Sequence, residues 1–475
     1  MSNVQTIAKN TGFLLLGRVL TKIISLFSVI LIVRYLGEIG YGKYAFAFAF
    51  VSFFMIIAEL GIHSILVREV SRSSSKAPLL VGNAIILSTF FSAVAFLFAV
   101  VSINILGYPE ETINIVKIAS LGLIFGLLSP FGVIYETELK MKYSVFFGLT
   151  SRIILLFSII FITSNNLGLN WLVLSTVLSD GIHYFLMAMY SKKLLRPIFK
   201  FDLPTCRFLL KESLPLAFAS VFVIIYFRID VVMLSLMKGD ADVGIYSSAY
   251  RITESFIFIP STLMVSIFPL MSKYYSGLSG SKGNLSYIYL KSFKVLFIAA
   301  FCLSLGISHF SHEIISLLYD GRIQGASITL KILIWATSII FLNYSLSQFL
   351  VSTNRQKITT ISTATCAFFN IALNWIMIPV WGYNGAALAT VATEVLHLSI
   401  MLFYIHSSIP ISMLISEIKK PFLITSTCYL VFLFLSVYLH ILIVLVLLVV
   451  IYLYSMYHLG GLNKDDVELL RKLKT

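Results

Sequence analysis

The residues most able to do chemistry in this sequence are ionisable side chains inside long apolar stretches. In hydrocarbon such a group costs about 2.5 kcal/mol or more on insertion scales, so each one implies a function or an ionic partner. Four cations could bind an anionic group: Arg18, Lys22, Arg228 and Arg251. The planar arginine head group favours phosphate, because it forms bidentate, charge-assisted hydrogen bonds. Five carboxylates could bind a coupling proton or sodium ion, or hold the arginines apart when no ligand is bound: Glu59, Asp180, Asp230, Glu254 and Glu394.

Spacing along a helix decides which of these side chains can act together. Arg18 and Lys22 are four residues apart and share one helix face. Arg228 and Asp230 are two apart and point in different directions, so they cannot both face one neighbour. For Arg251 and Glu254, three residues apart, an internal ion pair that stabilises a helix hairpin is the structural alternative.

Two histidines stand near the carboxylates in sequence. His183 follows Asp180 by one helical turn, and His397 follows Glu394 in the same way. A proton relay is one interpretation of these pairs, and a hydrogen-bonded histidine within helix packing is the other. The role of Arg152 is left open.

The elements that position these groups are membrane-spanning helices. The 475 residues are 59% hydrophobic and 12% charged, and the mean hydropathy is +0.95. Apolar runs of about 20 residues recur along the chain, and each can span roughly 30 Å of hydrocarbon. The sequence predicts an all-α polytopic membrane protein with about fourteen transmembrane helices. They are expected near 12–34, 44–66, 79–106, 111–134, 144–163, 169–190, 214–237, 246–272, 290–310, 326–350, 358–379, 383–405, 420–439 and 441–457.

The distribution of basic residues accounts for the net charge of +14. With a cytoplasmic N-terminus, the inner loops hold about 24 of the 35 Lys and Arg residues and the outer loops about three. Both termini are therefore expected in the cytoplasm and the protein in the cytoplasmic membrane. No nucleic-acid partner is expected, because the charge follows topology and no binding motif is present. The connections are too short for a folded catalytic domain, so an enzyme is not expected.

The four cysteines are widely separated in the sequence, which predicts neither a disulfide framework nor a metal site. Nothing in the sequence indicates a cofactor. The N-terminal apolar run is interpreted as a retained first helix.

The sequence contains an internal duplication. Residues 168–183 (GLNWLVLSTVLSDGIH) align without gaps on residues 382–397 (GYNGAALATVATEVLH), and residues 41–48 align on residues 243–250. Both offsets are about 200 residues, so two copies of six helices are indicated. Six is even, so the copies run in the same direction, related by a pseudo-two-fold axis along the membrane normal. Duplication could also preserve Asp180 and Glu394 for packing alone.

The predicted organisation follows from this repeat. It consists of a six-helix lobe over 1–190, a basic cytoplasmic linker over 191–213, a second six-helix lobe over 214–405, two further helices over 406–457 and a cytoplasmic tail over 458–475.

Three stretches resemble one transporter family. Residues 36–44 (LGEIGYGKY) resemble the LGxxxYGxY stretch of the oligosaccharide flippases of the polysaccharide transporter family, as do residues 228–230 (RID) followed by 243–246 (VGIY). Residues 379–390 (PVWGYNGAALAT) look like the family's P-x-x-G-x-x-G-A-A-x-A-T entry into helix twelve. The resemblance extends over essentially the whole chain. The family belongs to the multidrug, oligosaccharidyl-lipid and polysaccharide exporter superfamily.

The resemblance implies a two-lobed bundle that flips an isoprenoid phosphate- or pyrophosphate-linked oligosaccharide from the inner to the outer leaflet by alternating access. It also implies a role in O-antigen, capsule or exopolysaccharide synthesis, H⁺ or Na⁺ coupling, contact with membrane lipid, and polymerase or glycosyltransferase partners. An ion-coupled exporter of cationic drugs on the same fold is the alternative, but its cavity should be net acidic, and the intramembrane arginines argue against it. A membrane polymerase or ligase should carry a large outer loop with clustered catalytic residues.

Overall fold

A computed structural model describes residues 3–275, 282–435, 451–452 and 454–461, with the backbone alone at 3–16, 18 and 282–284. Every regular element in these ranges is helical. The α-helices are α1 (Asn3–Glu59), α2 (Ile62–Arg72), α3 (Ala77–Ile105), α4 (Glu110–Phe125), α5 (Phe131–Thr137), α6 (Met141–Ser164), α7 (Leu169–Ser191), α8 (Leu203–Lys238), α9 (Asp240–Ser255), α10 (Phe258–Tyr275), α11 (Lys282–His309), α12 (Ser311–Tyr319), α13 (Ala326–Ser352), α14 (Gln356–Ile405) and α15 (Ile411–Leu435). Residues 451–452 and 454–458 are also helical.

The prediction of an all-α, polytopic membrane protein is confirmed. Eleven helical segments within the described residues are long and apolar enough to cross a membrane. The segment Val19–Arg72 contains the helix predicted at 44–66 and residues 19–34 of the one predicted at 12–34, and Gln356–Ile405 contains both helices predicted at 358–379 and 383–405. Most of the last predicted helix, 441–457, lies outside the described residues.

Three helices that the hydropathy pattern predicts as continuous are interrupted. The one predicted at 44–66 breaks at Leu60 and Gly61, both with positive φ (44° and 68°). The one at 111–134 breaks between α4 and α5, where a 3₁₀ turn precedes Pro130, which lacks a backbone donor. The one at 246–272 breaks between α9 and α10. The hydropathy pattern indicates which residues are apolar enough to lie in lipid, but it does not detect local breaks in the helical backbone.

The predicted duplication is visible in the backbone conformation. Gly37 (φ 67°, ψ −170°) bends α1, and its repeat equivalent Gly239 (φ 90°, ψ −172°) separates α8 from α9. Gly168 (φ 90°, ψ −179°) precedes α7, and its equivalent Gly382 (φ 53°, ψ −134°) bends α14. Positive φ with extended ψ is a region that glycine alone adopts readily. Both repeat pairs therefore keep a glycine for the same conformational reason.

A third pair of repeat-related glycines makes a reciprocal contact. A Cβ atom added to Gly42 would lie 1.8 Å from the carbonyl oxygen of Asp240, and one added to Gly244 would lie 1.9 Å from that of Glu38. Glu38 and Asp240 are themselves repeat equivalents. The same patch of each copy thus meets the other, as in a two-fold interface, and only glycine permits the approach.

The connection between the repeats is tied to the first of them by Asn83, which is fully buried on α3. Its amide donates to the carbonyl of Lys200 at 3.0 Å and its oxygen accepts from the backbone N–H of Asp202 at 2.9 Å. Asp202 then caps α8 by accepting from the backbone N–H of Thr205 at 3.0 Å. The Thr205 hydroxyl and N–H together lower the pKa of Asp202.

The chain forms two compact units. The first comprises Met1–Arg251, Ile315–Ala326 and Ile371–Ala386, and the second comprises Ile252–Ile314, Ser327–Asn370 and Ala387–Thr475. A core of the first unit packs α2, α3 and α5 around residues such as Leu66, Val81 and Ile134. A core of the second packs α10, α11 and α13 around residues such as Met264, Tyr289 and Phe349.

Replacing either contact glycine should destabilise the protein. Gly42→Ala and Gly244→Ala each place a methyl group against a backbone carbonyl, and overpacking of this kind costs about 1–3 kcal/mol. Both variants should melt at a lower temperature than wild type in detergent, as measured by fluorescence-detected size-exclusion chromatography. Gly122→Ala is the control, because a Cβ there meets only Val177 Cγ2 at 3.9 Å. Equal melting temperatures for all four proteins would contradict the close contact.

Candidate functional site

One of the predicted ion-coupling acids lies buried between helices. Asp230 on α8 is 2% exposed and accepts hydrogen bonds from two neutral side chains. The Tyr246 hydroxyl donates to Oδ2 at 2.7 Å, and the Asn374 amide donates to Oδ1 at 2.5 Å. Sequence reasoning missed Asn374, although an amide within an apolar run is itself a signal. Two neutral donors from other helices, Tyr246 on α9 and Asn374 on α14, thus bind this carboxylate.

Asp180 on α7 forms an ion pair with Arg152 on α6. Arg152 Nη2 lies 2.9 Å from Asp180 Oδ1, so the open question about Arg152 has a structural answer. One turn before Asp180, the Thr176 hydroxyl lies 3.0 Å from the Tyr44 hydroxyl. Arg152, Asp180 and Tyr44 are thus among the polar side chains of α6, α7 and α1 in the first unit.

Glu394, the repeat equivalent of Asp180, has a different environment. It is 2% exposed and its Oε2 accepts from the Asn343 amide at 2.8 Å. The same amide lies 3.2 Å from the Glu394 backbone carbonyl. His397 is buried, whereas His183 is partly exposed. The two copies keep an acid and a histidine at equivalent positions but give the acids different partners.

The four predicted anion-binding residues stay a prediction. The backbone of Arg18 lies in α1, in the part described without side chains, and Lys22 is exposed on the same helix. Arg228, Arg251 and the acid Glu254 are each partly buried.

A polar cavity of about 530 Å³ lies in the first unit. Its ionisable lining residues are Glu59, His63, Glu136, His183 and Tyr184, and hydroxyl groups of Ser64, Ser129, Ser144 and Ser220 also line it. His63 Nε2 lies 3.1 Å from Glu136 Oε1. Of the ionisable groups only Glu59 was predicted for ion coupling, with His183 as a possible relay. His63 and Glu136 were missed, because they lie beside helix breaks that hydropathy does not reveal.

The two breaks position the groups that line this cavity. The turn at Leu60 and Gly61 separates α1 from α2, so that Glu59 at the end of one helix and His63 at the start of the other both face inward. A Cβ atom on Gly61 would lie 3.0 Å from Leu216 Cβ and 3.1 Å from the Ser213 carbonyl oxygen. The α4–α5 break places Ser129 and Gly132 on the wall and directs Glu136 toward His63.

The sequence analysis also missed a second group of charged residues, which lies in the second unit. Lys291 and Lys294 on α11 are 5% and 2% exposed, and their ammonium groups lie 3.3 and 3.6 Å from Glu417 Oε2 on α15.

Farther along these two helices, an apolar cavity of about 240 Å³ is lined by residues such as Leu305, Phe310 and Phe432. In the ranges that the structure covers, no cluster of three or more His, Cys, Asp and Glu side chains could hold a metal ion.

A duplicated bundle of membrane helices with interrupted segments and buried ionisable groups defines a polytopic membrane protein of the transporter class. The chain belongs to the family described as "Polysaccharide biosynthesis protein", whose model matches residues 7–275. The model described as MatE matches residues 215–376. The predicted family relationship is confirmed.

Individual relatives support this placement. The chain is 23% identical over 232 residues to the probable low-salt glycan biosynthesis flippase Agl15 of Haloferax volcanii. The match covers 49% of this chain, and the chain spans only about half (48%) of the length of that curated relative.

Solved structures share the fold over a greater length. A lipid II flippase MurJ in an inward closed conformation aligns with a TM-score of 0.77 at 18% identity, covering 94% of this chain and 98% of that one. An inward-facing multidrug resistance MATE family transporter of the MOP superfamily aligns with a TM-score of 0.65 at 16% identity, covering 82% and 95%. The chain therefore has the two-lobe fold of that superfamily.

The Arg152–Asp180 pair predicts compensation between mutations. Asp180→Ala leaves a guanidinium unpaired, and a lone charge at membrane depth costs about 2.5–3.5 kcal/mol on insertion scales. The single variants Asp180→Ala and Arg152→Ala should each lower the yield of monodisperse protein from membranes. The double variant should recover much of the loss, because neither charge remains. A double variant with the summed defect of the two single variants would contradict the pairing.

Proposed function

We propose that this protein is a flippase that moves an isoprenoid phosphate- or pyrophosphate-linked oligosaccharide across the cytoplasmic membrane for surface polysaccharide synthesis. The observation that carries the proposal is family membership together with a fold shared over 94% of the chain with a protein named as a lipid II flippase. The partial relative Agl15 is also named as a flippase. The chain provides intramembrane cations of the kind that a phosphate head group requires.

In the proposed mechanism, rocking of the two repeats gives the substrate alternating access to the two sides of the membrane. Arg18, Lys22, Arg228 and Arg251 bind the phosphate and sugar groups. The binding site of a coupling H⁺ or Na⁺ ion is drawn from Glu59, Asp180, Asp230, Glu254 and Glu394. The protein acts as a transporter and not as an enzyme, and receives its substrate from glycosyltransferases and passes it to a polymerase. The lobes correspond to 1–190 and 214–405, with the linker 191–213, two helices at 406–457 and a tail at 458–475.

The alternative is an ion-coupled multidrug exporter. It is favoured by the MatE model match over residues 215–376 and by the MATE transporter neighbour. Both functions use the same fold, so the two proposals differ in the transported molecule: an anionic lipid-linked oligosaccharide for the flippase, and a cationic drug for the exporter.

Removal of Arg228 should abolish transport of an anionic lipid head group. In a strain that lacks the gene, Arg228→Ala should fail to restore surface glycan, and Arg228→Lys should restore it partly, because lysine keeps the charge without the bidentate geometry. The measurement is surface glycan on gels and by lectin binding, with the membrane level of each variant checked by immunoblot.

Arg322→Ala serves as the matched control, because Arg322 is exposed. Wild-type glycan in the Arg228→Ala strain, with normal protein level, would contradict the proposal. Resistance to cationic drugs on overexpression, without glycan rescue, would favour the exporter.

The proposed topology has both termini in the cytoplasm, and it predicts which loops are accessible. The native cysteines give little background, since Cys206, Cys366 and Cys428 are buried and Cys302 is partly buried. In intact cells, an impermeant maleimide should label Arg322→Cys and not Ser74→Cys, whereas both should react after permeabilisation. The reverse labelling pattern would invert the proposed orientation.

A further inference from the structure

The polar cavity of the first unit lies where two membrane helices are interrupted. One interruption is at Leu60 and Gly61, and the other is between α4 and α5. In transporters, discontinuous helices commonly form substrate and coupling-ion sites, because their ends present unsatisfied backbone groups and dipoles to the bound species. Here, both interruptions border one cavity of about 530 Å³.

The ionisable groups that face this cavity come from four helices. They are Glu59 from α1, His63 from α2, Glu136 from α5, and His183 with Tyr184 from α7. The lining residues from α6 and α8 are uncharged, Ser144 from the former and Ser220 and Ile224 from the latter. The charges of both Glu59 and Glu136 act on His63. One imidazole therefore faces two carboxylates, and groups coupled in this way bind and release protons as a set.

Three of the other acids proposed for ion coupling already have identified partners. Asp180 pairs with Arg152, and Asp230 accepts from Tyr246 and Asn374. Glu394 accepts from Asn343. In the set around His63, a 3.1 Å contact joins a carboxylate to a histidine. Histidine changes charge within the physiological pH range, which suits a group that must bind and release a proton in each transport cycle.

We infer that this cavity is the proton-binding site that drives transport, with one proton shared among Glu59, His63 and Glu136. The inference rests on the proposed transport function and identifies the coupling ion as H⁺. Binding breaks an O–H bond of a hydronium ion and forms one O–H or N–H bond in the cavity, so the net charge of the cavity rises by one.

The cavity is connected to the helix that carries a proposed substrate-binding residue. The turn at Gly61 packs against Leu216 and Ser213 of α8, and Arg228 lies farther along α8. A charge change at His63 alters the contact between α2 and α5, and α2 contacts α8 at Gly61. Proton loading can therefore bias the position of α8 through packed backbone, which is a physical route for coupling.

The first arm of the test measures proton binding without any substrate. Infrared difference spectra of purified protein between acidic and neutral pH should contain a carboxylic acid carbonyl band that is reduced in Glu59→Gln and Glu136→Gln. Glu138→Gln is the matched control, since Glu138 is exposed and does not line the cavity. If Glu59→Gln is not monodisperse, Glu59→Asp replaces it, and the band should then shift in frequency, because the carboxyl group is kept but moved. Spectra identical in wild type and both variants would overturn the inference.

The second arm measures coupling in proteoliposomes with a polyprenyl-pyrophosphate-linked disaccharide. A pH gradient should accelerate translocation by wild type and by His312→Gln, an exposed control, and the acceleration should be lost in His63→Gln. An equal acceleration in His63→Gln would also overturn the inference. If the infrared bands behave as expected but wild type moves no oligosaccharide, then the proposed substrate fails while the proton site stands.

Discussion

The structure depends on one constraint, the need to satisfy every backbone polar group where water is absent. In hydrocarbon an unpaired N–H or C=O costs several kcal/mol, so a chain of this hydropathy must be helical wherever lipid surrounds it. Interruptions are tolerated only where protein or a water-accessible cavity receives the freed groups. The breaks at Gly61 and before Pro130 meet this condition, because both open onto the polar cavity of the first unit. The constraint that makes the fold uniform thus also concentrates polar chemistry at its few irregular points.

Glycine determines the geometry at the turns between helices. Gly37, Gly239, Gly168 and Gly382 adopt backbone angles that other residues enter only with strain. Gly42 and Gly244 instead allow two backbones to approach more closely than any Cβ permits. These roles persist in both copies of the repeat, since each is a steric requirement of the backbone and independent of what the protein transports.

The charged residues have diverged between the copies. Asp180 pairs with a cation and keeps substantial exposure, whereas Glu394 is enclosed and is held by an amide. Duplication therefore preserved an acid at the same point of each lobe, although the two acids differ in exposure and in the hydrogen-bond donors identified beside them.

The sequence alone determined the class of structure, the positions of most helices and the duplication. These properties depend on local patterns: the length of apolar runs, the bias of basic residues among loops, and glycines at repeating positions. It also identified Asp230 and Glu59 as unusual, because a charge in an apolar run needs no structure to be noticed.

Only the tertiary structure decided the partners. Asn374 reaches Asp230 across 144 residues of sequence, and Glu136 reaches His63 across 73. Nothing local in an apolar helix encodes which face will meet which neighbour, because that choice is made when the helices pack. The sequence analysis missed Glu136 for the same reason. This residue follows the break between α4 and α5, and the hydropathy pattern predicts one continuous helix across that break.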